Sequence, residues 1–293
     1  MEKIYVADIG TNSARLMEGK FENGDVISEN KTVITVRTGE GMDDTGKIGV
    51  AAEDRICSAL TEFKGIAGNQ EIHCFATSAM REASNAAEVL DVILKRTGLT
   101  VRILSGREEA EIGFVGVAGR GGTGGVIDIG GGSTEVIFGR KGHVDYAESF
   151  PIGCVRGKDR FTARPDRDTV EKWAEAELRK VNFAFADGLV QYGIGGSITT
   201  LAAIELGKYD RDRVHEHKLR LETVSEIAGT LYRFTVEERK KIPGLQPKRA
   251  DIIPFGASVL EVFMRMCGLR FIVVSESDNL EGFVRKYCLI KKY

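Results

Sequence analysis

The sequence predicts an α/β protein made of two similar halves with a cleft between them. A short pattern at residues 8–19 returns without a gap at residues 128–139. Each half combines β-strand patterns with helical ones, and a glycine-rich run at residues 119–125 separates the halves. Mixed sheets covered by helices, built twice, imply two units of one architecture, and ligands commonly bind in the cleft between two such units.

In both copies of the repeat, an apolar run ends in an aspartate, a glycine-containing turn and a serine, and a second apolar run follows. Asp8 aligns with Asp128, and Ser13 aligns with Ser133. The pattern predicts two β-hairpins with polar tips. If they face each other they form a phosphate clamp, since glycine amides can approach an anion closely and carboxylates can hold a hydrated cation beside it. A plain structural turn is the alternative for either copy alone, but a structural duplication has no need to keep both carboxylates.

The elements of the first half follow from hydrophobic periodicity. It predicts strands at about 3–9, 13–21, 25–37, 72–77 and 101–104, and helices at about 51–66 and 84–97. Ser105 and Gly106 then precede an acidic stretch, residues 107–111, suited to the first turn of a helix that ends near residue 118. The glycine-rich run that follows, residues 119–125, is the best candidate for an interdomain hinge.

The second half repeats this theme. Strands are predicted at about 125–130, 134–140, 143–150, 189–193 and 271–274, and helices at about 168–186, 222–235 and 251–267. Two further helices are predicted to begin at about residues 198 and 280. A glycine cluster, residues 193–197, joins a strand to a helix, so its backbone amides can form another anion site. A tight turn with close helix packing is the alternative for this cluster.

Composition excludes several classes of protein. The length of 293 residues is enough for two ordinary domains, and 42% hydrophobic with 29% charged residues is typical of soluble globular proteins. No apolar run approaches the roughly 20 residues needed to cross a bilayer, and residues 1–3 lead straight into a strand, so no membrane partner is expected and the cytoplasm is the expected location. A net charge of −2 argues against a nucleic-acid coat protein.

The positions of the cysteine, histidine and basic residues indicate whether the chain has disulfides, a histidine metal site or a polyanion-binding surface. The five cysteines are widely spaced and odd in number, which favours reduced core thiols. His215 and His217 lie among charged residues and indicate a solvated segment rather than a metal site. Basic residues crowd 156–167, which includes Arg164, and 239–249. Such runs are usually solvated faces, but beside a phosphate clamp they suggest a path for a polyanion.

Five segments, in this order and spacing, make the chain resemble the exopolyphosphatase/guanosine pentaphosphate phosphatase family of the actin-like ATPase-domain superfamily over nearly its whole length. They are residues 8–13, 76–83, 105–110, 128–135 and 193–197. The resemblance implies two ribonuclease-H-like domains, residues 1–118 with 282–293 and residues 119–281. It also implies that the last helix returns to pack on the first domain.

The resemblance also implies roles for individual residues. Glu109 matches the carboxylate that activates the attacking water, and Asp128 and Arg81 are further catalytic candidates. Asp8, Asp128 and Glu135 are the expected ligands of Mg²⁺ or Mn²⁺. The expected phosphate-binding residues are Gly10, Thr11, Asn12, Ser13, Arg15, Gly130, Gly131, Gly132, Ser133, Gly195, Gly196 and Ser197. The alternatives are a helix-start acid for Glu109 and simple ion pairs with neighbouring acids for Arg15 and Arg81.

The sequence departs from the family pattern in two places. It has no histidine and aspartate cluster like the one in the C-terminal helical domain of longer members, so it looks like the short two-domain form. In the turn that usually contains Gly-Leu-Arg-Glu-Gly, Asp278 stands for the first glycine and Leu280 for the arginine. This difference puts an anion contact from that corner in doubt.

Taken together, these features predict a hydrolase that removes terminal phosphate from inorganic polyphosphate by metal-assisted attack of water. Hydrolysis of the 5′ γ-phosphate of guanosine pentaphosphate needs the same clamp and base, so the residues leave it open. An ATP-dependent kinase and a non-hydrolysing sensor of polyphosphate or alarmone are two further functions that a phosphate clamp could serve. A homodimer is left open as an assembly.

Overall fold

The computed structural model describes residues 3–161 and 165–289, and its first sheet has five strands. They are β1 (Lys3–Ile9), β2 (Ser13–Glu22), β3 (Asp25–Thr35), β4 (Ile72–Ala76) and β5 (Val101–Ile103), in the order β3-β2-β1-β4-β5. The helices of this half are α1 (Met42–Thr45), α2 (Val50–Ala67), α3 (Ser78–Glu82), α4 (Ala86–Thr97) and α5 (Gly106–Ala118).

The second sheet has six strands. They are β6 (Gly124–Ile129), β7 (Thr134–Arg140), β8 (His143–Phe150), β9 (Gln191–Ile194), β10 (Lys218–Arg220) and β11 (Phe271–Val274), in the order β10-β11-β9-β6-β7-β8. The helices are α6 (Cys154–Arg160), α7 (Arg167–Leu178), α8 (Gly196–Glu205), α9 (Arg211–Val214), α10 (Leu221–Arg233), α11 (Val236–Arg239), α12 (Ile253–Met266) and α13 (Asn279–Phe283). Short 3₁₀ turns cover Phe183–Ala186 and Pro247–Arg249, and a π-helical turn, Val284–Cys288, continues α13.

The two sheets share one topology. β1 pairs antiparallel with β2 and parallel with β4, and β6 pairs in the same way with β7 and β9. Apart from the added edge strand β10, the order β8-β7-β6-β9-β11 repeats the order of the first sheet. This confirms the predicted fold of two ribonuclease-H-like units.

The central strands β1 and β6 form because their sequences are apolar on both faces. All of β6 is buried, and in β1 only Lys3 is exposed. Helices cover both faces of the sheets, which is why these strands show a continuous apolar run rather than alternation. Helix α12 is the main helix of the second core: it starts with Pro254 in its first turn, a favoured place for proline, and twelve of its fourteen residues are buried.

Helices α5 and α13 lie between the two sheets. Ile112 of α5 packs with Leu280 of α13 and strand residues of the first sheet, whereas Phe114 packs with residues of the second. The two helices cross at glycines: a side chain at Gly116 would collide with the backbone of Asp278, and one at Gly282 with the backbone of Ile112. The last helix therefore returns to the first domain, as predicted.

Some predicted bounds were wrong. The helix predicted at 168–186 ends at Leu178, and only a 3₁₀ turn follows. Strand β3 ends at Thr35, because the amides of Val36 and Arg37 turn away to donate to the Asn12 carbonyl. The short elements α3, α6 and β10 were not predicted, since segments of three to seven residues contain too few turns to show a period.

The glycine-rich run is only partly a loop. Gly124 and Gly125 belong to β6, and the Gly125 amide donates to the Val190 carbonyl of the loop before β9. A hinge within residues 119–123 stays a prediction, and so do the domain boundaries. The two ends of the predicted first domain, residues 1–2 and 290–293, lie outside the described residues. Among the described helices, none is long and apolar enough to cross a membrane. All five cysteines are free thiols, three of them buried.

Candidate active site

The two repeat copies form the predicted hairpins. In each, the amide of the first turn glycine donates to the serine carbonyl at 3.0 Å, Gly10 to Ser13 and Gly130 to Ser133. Asp8 and Asp128 occupy the same register position on their strands. The partner across the hairpin differs, because Arg15 lies opposite Asp8 and Glu135 lies opposite Asp128.

The hairpin tips face each other across the cleft. A Cβ atom added at Gly131 would lie 2.8 Å from the Thr11 Cβ, and one at Gly132 would lie 2.9 Å from the Thr11 hydroxyl. Any side chain at these glycines would push the two tips apart. The second loop therefore needs glycine for its approach to the first, as well as for its exposed amides.

The third glycine turn lies at the same cleft and leads into α8. Gly195 has a φ of +87°, and a side chain there would collide with the Asp128 carboxylate. A side chain at Gly196 would collide with the Arg249 guanidinium. Both interpretations of this turn hold in part, since it packs closely and also presents the N-terminal amides of α8 to the cleft.

The cleft has a volume of about 380 Å³ and collects most of the predicted site. Asp8, Glu109 and Asp128 line it, and so do all the predicted phosphate-binding residues: Gly10, Thr11, Asn12, Ser13, Arg15, Gly130, Gly131, Gly132, Ser133, Gly195, Gly196 and Ser197. Arg81 and Glu135 lie behind this lining, where they contact residues that do face the cleft.

Glu109 is a buried carboxylate at the start of α5, with 6% of its surface exposed. The helix start is capped by another pair, since Ser105 and Glu108 form a reciprocal capping box. Burial raises the pKa of Glu109 well above 4.5, helped by the nearby Glu135 carboxylate and opposed by Arg81. A desolvated carboxylate that the helix cap does not use is typical of a general base.

Arg81 pairs with Glu109 and does not line the cleft. Its Nη1 donates to Glu109 Oε2 at 2.8 Å and to the Leu104 carbonyl at 3.0 Å. The simple ion pair left open by the sequence is therefore what the structure shows. Arg81 orients the carboxylate and does not itself reach into the cleft.

The three predicted metal ligands do not converge. Glu135 Oε1 accepts hydrogen bonds from Ser133 at 2.7 Å and Ser149 at 2.6 Å. Within residues 3–161 and 165–289, no three carboxylate, histidine or cysteine side chains are close enough to share one metal ion. Glu135 is occupied with holding the serine at the second hairpin tip, so the structure does not support it as a third metal ligand beside Asp8 and Asp128.

The cleft nevertheless fits a divalent cation. Five carboxylates, of Asp8, Glu109, Asp128, Glu276 and Asp278, face three cationic side chains, of Arg15, Lys31 and Arg249, among the described lining residues. Asp8 Oδ1 is buried and has no hydrogen-bond partner among those residues. Burial and the nearby Glu135 raise the pKa of Asp128 to about 7, although Arg15 opposes the shift. Mg²⁺ is often held by one or two carboxylates together with substrate phosphates and water, which suits Asp8 and Asp128.

Arg15 is held by two carboxylates. Its Nε and Nη2 donate to Asp8 Oδ2 at 3.0 and 2.5 Å, and its Nη1 donates to Asp278 at 2.7 Å. The ion-pair alternative is thus present in the structure. Its other N–H groups remain for an anion, since a guanidinium has five.

Arg249 is the cation that sequence reasoning did not place in the site. It is half-buried at the cleft beside Gly196, and no side chain or backbone group of the described residues pairs with it. Burial lowers the pKa of its guanidinium, and repulsion from Arg15 acts in the same direction. A phosphate bound at the third glycine turn would supply the missing negative charge. The basic run around it gave no sign that this one residue differs from its neighbours.

The predicted polyanion path is wrong for most of its residues. Arg156 pairs with Asp43 and Glu82, Lys158 pairs with Asp251, and Arg167 pairs with Glu171 and Glu261. Arg239 is buried and donates to the Leu231 and Ala250 carbonyls. Arg164 lies outside the described residues. Of the described basic residues in these two runs, only Arg249 lines the cleft.

Comparison with known proteins identifies the family. Residues 19–287 match the model of the Ppx/GppA phosphatase family. The chain belongs to this family. Exopolyphosphatase 2 of Mycobacterium tuberculosis is 30% identical, in an alignment covering 96% of this chain and 97% of the relative.

Solved structures of family members have the same fold. An exopolyphosphatase from Cytophaga hutchinsonii has a TM-score of 0.88 and 27% identity, covering 99% of this chain and 98% of that one. The Aquifex aeolicus Ppx/GppA family member has a TM-score of 0.81 and 26% identity over 99% of both chains. This Ppx/GppA chain therefore has the family fold over almost its whole length.

Proposed function

We propose that this Ppx/GppA chain hydrolyses the terminal phosphoanhydride bond of inorganic polyphosphate. The observation that carries the proposal is the buried Glu109 carboxylate facing the cleft that the paired phosphate loops line. The similar proteins from Mycobacterium tuberculosis and Cytophaga hutchinsonii, both named exopolyphosphatases, support this substrate class.

The reaction needs a bound phosphate, a positioned water and a base. Amides of the Gly10 and Gly130 hairpins and of the α8 N-terminus hold the terminal phosphate, and Arg249 neutralises part of its charge. Glu109, oriented by Arg81, takes a proton from a water that attacks the terminal phosphorus. The bond from that phosphorus to the bridging oxygen breaks, and the shortened polyphosphate leaves with the electron pair.

Asp8 and Asp128 would hold the cation, Mg²⁺ or Mn²⁺. When bound, it withdraws negative charge from the phosphate oxygens and so stabilises the charge that develops as the bond breaks. The protein residues supply the remaining tasks, which are binding, orientation and proton transfer. The metal, a cytoplasmic location and the absence of nucleic-acid partners stay predictions.

Parallel assays with polyphosphate and guanosine pentaphosphate test the substrate. We expect multiple-turnover phosphate release from polyphosphate with a kcat/KM at least about tenfold above that for the nucleotide, a difference of about 1.4 kcal/mol in transition-state stabilisation. A preference for guanosine pentaphosphate would replace the proposed substrate. Binding of both without any phosphate release would favour the sensor.

The role of Arg249 is tested by Arg249→Met, which keeps much of the side-chain volume but removes the charge. We expect KM for polyphosphate to rise roughly 10- to 100-fold, the usual effect of losing a charge-assisted hydrogen bond. The adjacent and exposed Lys248 provides the matched control, because Lys248→Met changes the net charge equally. Equal effects of the two substitutions would show that Arg249 acts only through general charge.

A further inference from the structure

The start of α13 is linked to both repeat aspartates. Asp278 Oδ2 accepts a hydrogen bond from Arg15 at 2.7 Å, and Arg15 in turn donates to Asp8. The next residue, Asn279, donates from its Nδ2 to Asp128 Oδ2 at 2.8 Å. The N-cap and the first residue of one short helix are therefore linked to the aspartates of two different sheets, Asp278 through Arg15 and Asn279 directly.

The two carboxylate oxygens of Asp278 have different partners. Oδ1 caps α13 by accepting from the Leu280 amide at 2.9 Å, and the Asp278 amide donates to Glu281 at 2.9 Å. Oδ2 faces Arg15 and also lies 3.3 Å from the Lys31 ammonium. The helix cap thus fixes the oxygen that holds Arg15 against Asp8.

Asn279 is 3% exposed, and only one of the two polar atoms of its side chain has a hydrogen-bond partner among the described residues. Its Oδ1 is buried near Gly113 of α5 and has no hydrogen-bond partner among the described residues. A buried amide oxygen without a partner disfavours folding. The hydrogen bond from Nδ2 to Asp128 is the contact that the residue does make, so its chemistry is directed at that carboxylate.

We propose that Asp278 and Asn279 are positioning residues that set the separation of Asp8 and Asp128 and so the fit of the two phosphate loops around one phosphate. The inference rests on the proposed function for its catalytic consequence. It assigns a use to the corner where the sequence departs from the family pattern. That corner reaches Asp128 directly and Asp8 through Arg15.

The sharpest test exchanges the two residues. The double variant Asp278→Asn, Asn279→Asp keeps composition and net charge, and asparagine caps a helix about as well as aspartate. It removes the carboxylate that holds Arg15 and the amide donor to Asp128. We expect kcat on polyphosphate to fall at least tenfold and the affinity for tripolyphosphate, measured by calorimetry in a Glu109→Gln background, to fall at least fivefold. Single variants Asp278→Asn and Asn279→Leu separate the two contacts.

Asp25→Asn is the matched control. Asp25 receives a two-pronged ion pair from Arg285, just beyond α13 and away from the cleft, so its loss weakens the same region without touching either aspartate. Wild-type kcat and tripolyphosphate affinity in the exchanged variant would overturn the proposal, as would equal losses in Asp25→Asn. If the wild type releases no phosphate, the proposed function fails, while the affinity comparison still decides the positioning role.

Discussion

Glu109→Gln is expected to lower polyphosphate turnover about 10²–10⁴-fold while substrate binding survives. The substitution keeps the shape and the contact with Arg81 but cannot accept the proton of the attacking water, and general-base catalysis contributes about this factor. The phosphate contacts come from the glycine turns, so the affinity for polyphosphate should stay equal or increase as a negative charge is removed from the cleft. Phosphate release and equilibrium binding on this one variant measure both effects.

The neighbouring Glu108 supplies the control. It lies in the same helical turn, forms the capping box with Ser105 and pairs with Arg102. Glutamine also serves at this position of a capping box, so Glu108→Gln should lower stability only by roughly a few tenths of a kcal/mol, through the lost ion pair with Arg102, and leave turnover unchanged. If Glu109→Gln behaved like Glu108→Gln, Glu109 would be a helix-start acid and the base assignment would be wrong.

The pH dependence provides a second measurement on the same group. Burial raises the pKa of Glu109 well above 4.5 and that of Asp128 to about 7, with Glu135 acting in the same direction on both. The proposed mechanism requires both groups to be ionised, Glu109 to accept a proton and Asp128 to bind a cation. Turnover should therefore fall as the pH is lowered through about 7. A flat profile down to pH values near 4.5 would contradict the desolvated site.

The double substitution Asp8→Asn, Asp128→Asn should abolish hydrolysis, and chelator should do the same to the wild type. The cleft has more carboxylates than cationic side chains, so we expect a polyanion to enter it together with a divalent cation. Phosphate release with added Mg²⁺ or Mn²⁺, with chelator and after readdition of metal measures this requirement. Asp145→Asn, at an exposed ion pair of β8 with Arg140, serves as the control. Undiminished turnover of the double variant in chelator would remove the metal from the mechanism.

The sequence predicted the features that depend on local order. The repeat predicted both hairpins with the right residues at their tips, because strand, turn and strand are contiguous in each copy. The acidic stretch after Ser105 predicted the start of α5 for the same reason. The resemblance then located Glu109 and the third glycine turn at one cleft.

The contacts that sequence reasoning missed join distant segments. Arg15 and Asp278 are 263 positions apart, and Asp128 and Asn279 are 151 apart. Nothing near either residue indicates the partner, since pairing depends on how α13 returns between the sheets. The basic runs were misjudged for the same reason, because carboxylates such as Asp43 and Glu261 neutralise them from far along the chain.

The crossing of α5 and α13 constrains how the cleft can close. At Gly116 and Gly282 the two backbones touch, with no room for even a methyl group between them. Glu109 is carried by α5, and Asp278 and Asn279 lie at the start of α13. The base and the two residues linked to the repeat aspartates therefore belong to one unit that must move together. When the cleft closes, Glu109 would therefore keep its position relative to the start of α13. The substrate would move to the base, and the base would not move separately to the substrate.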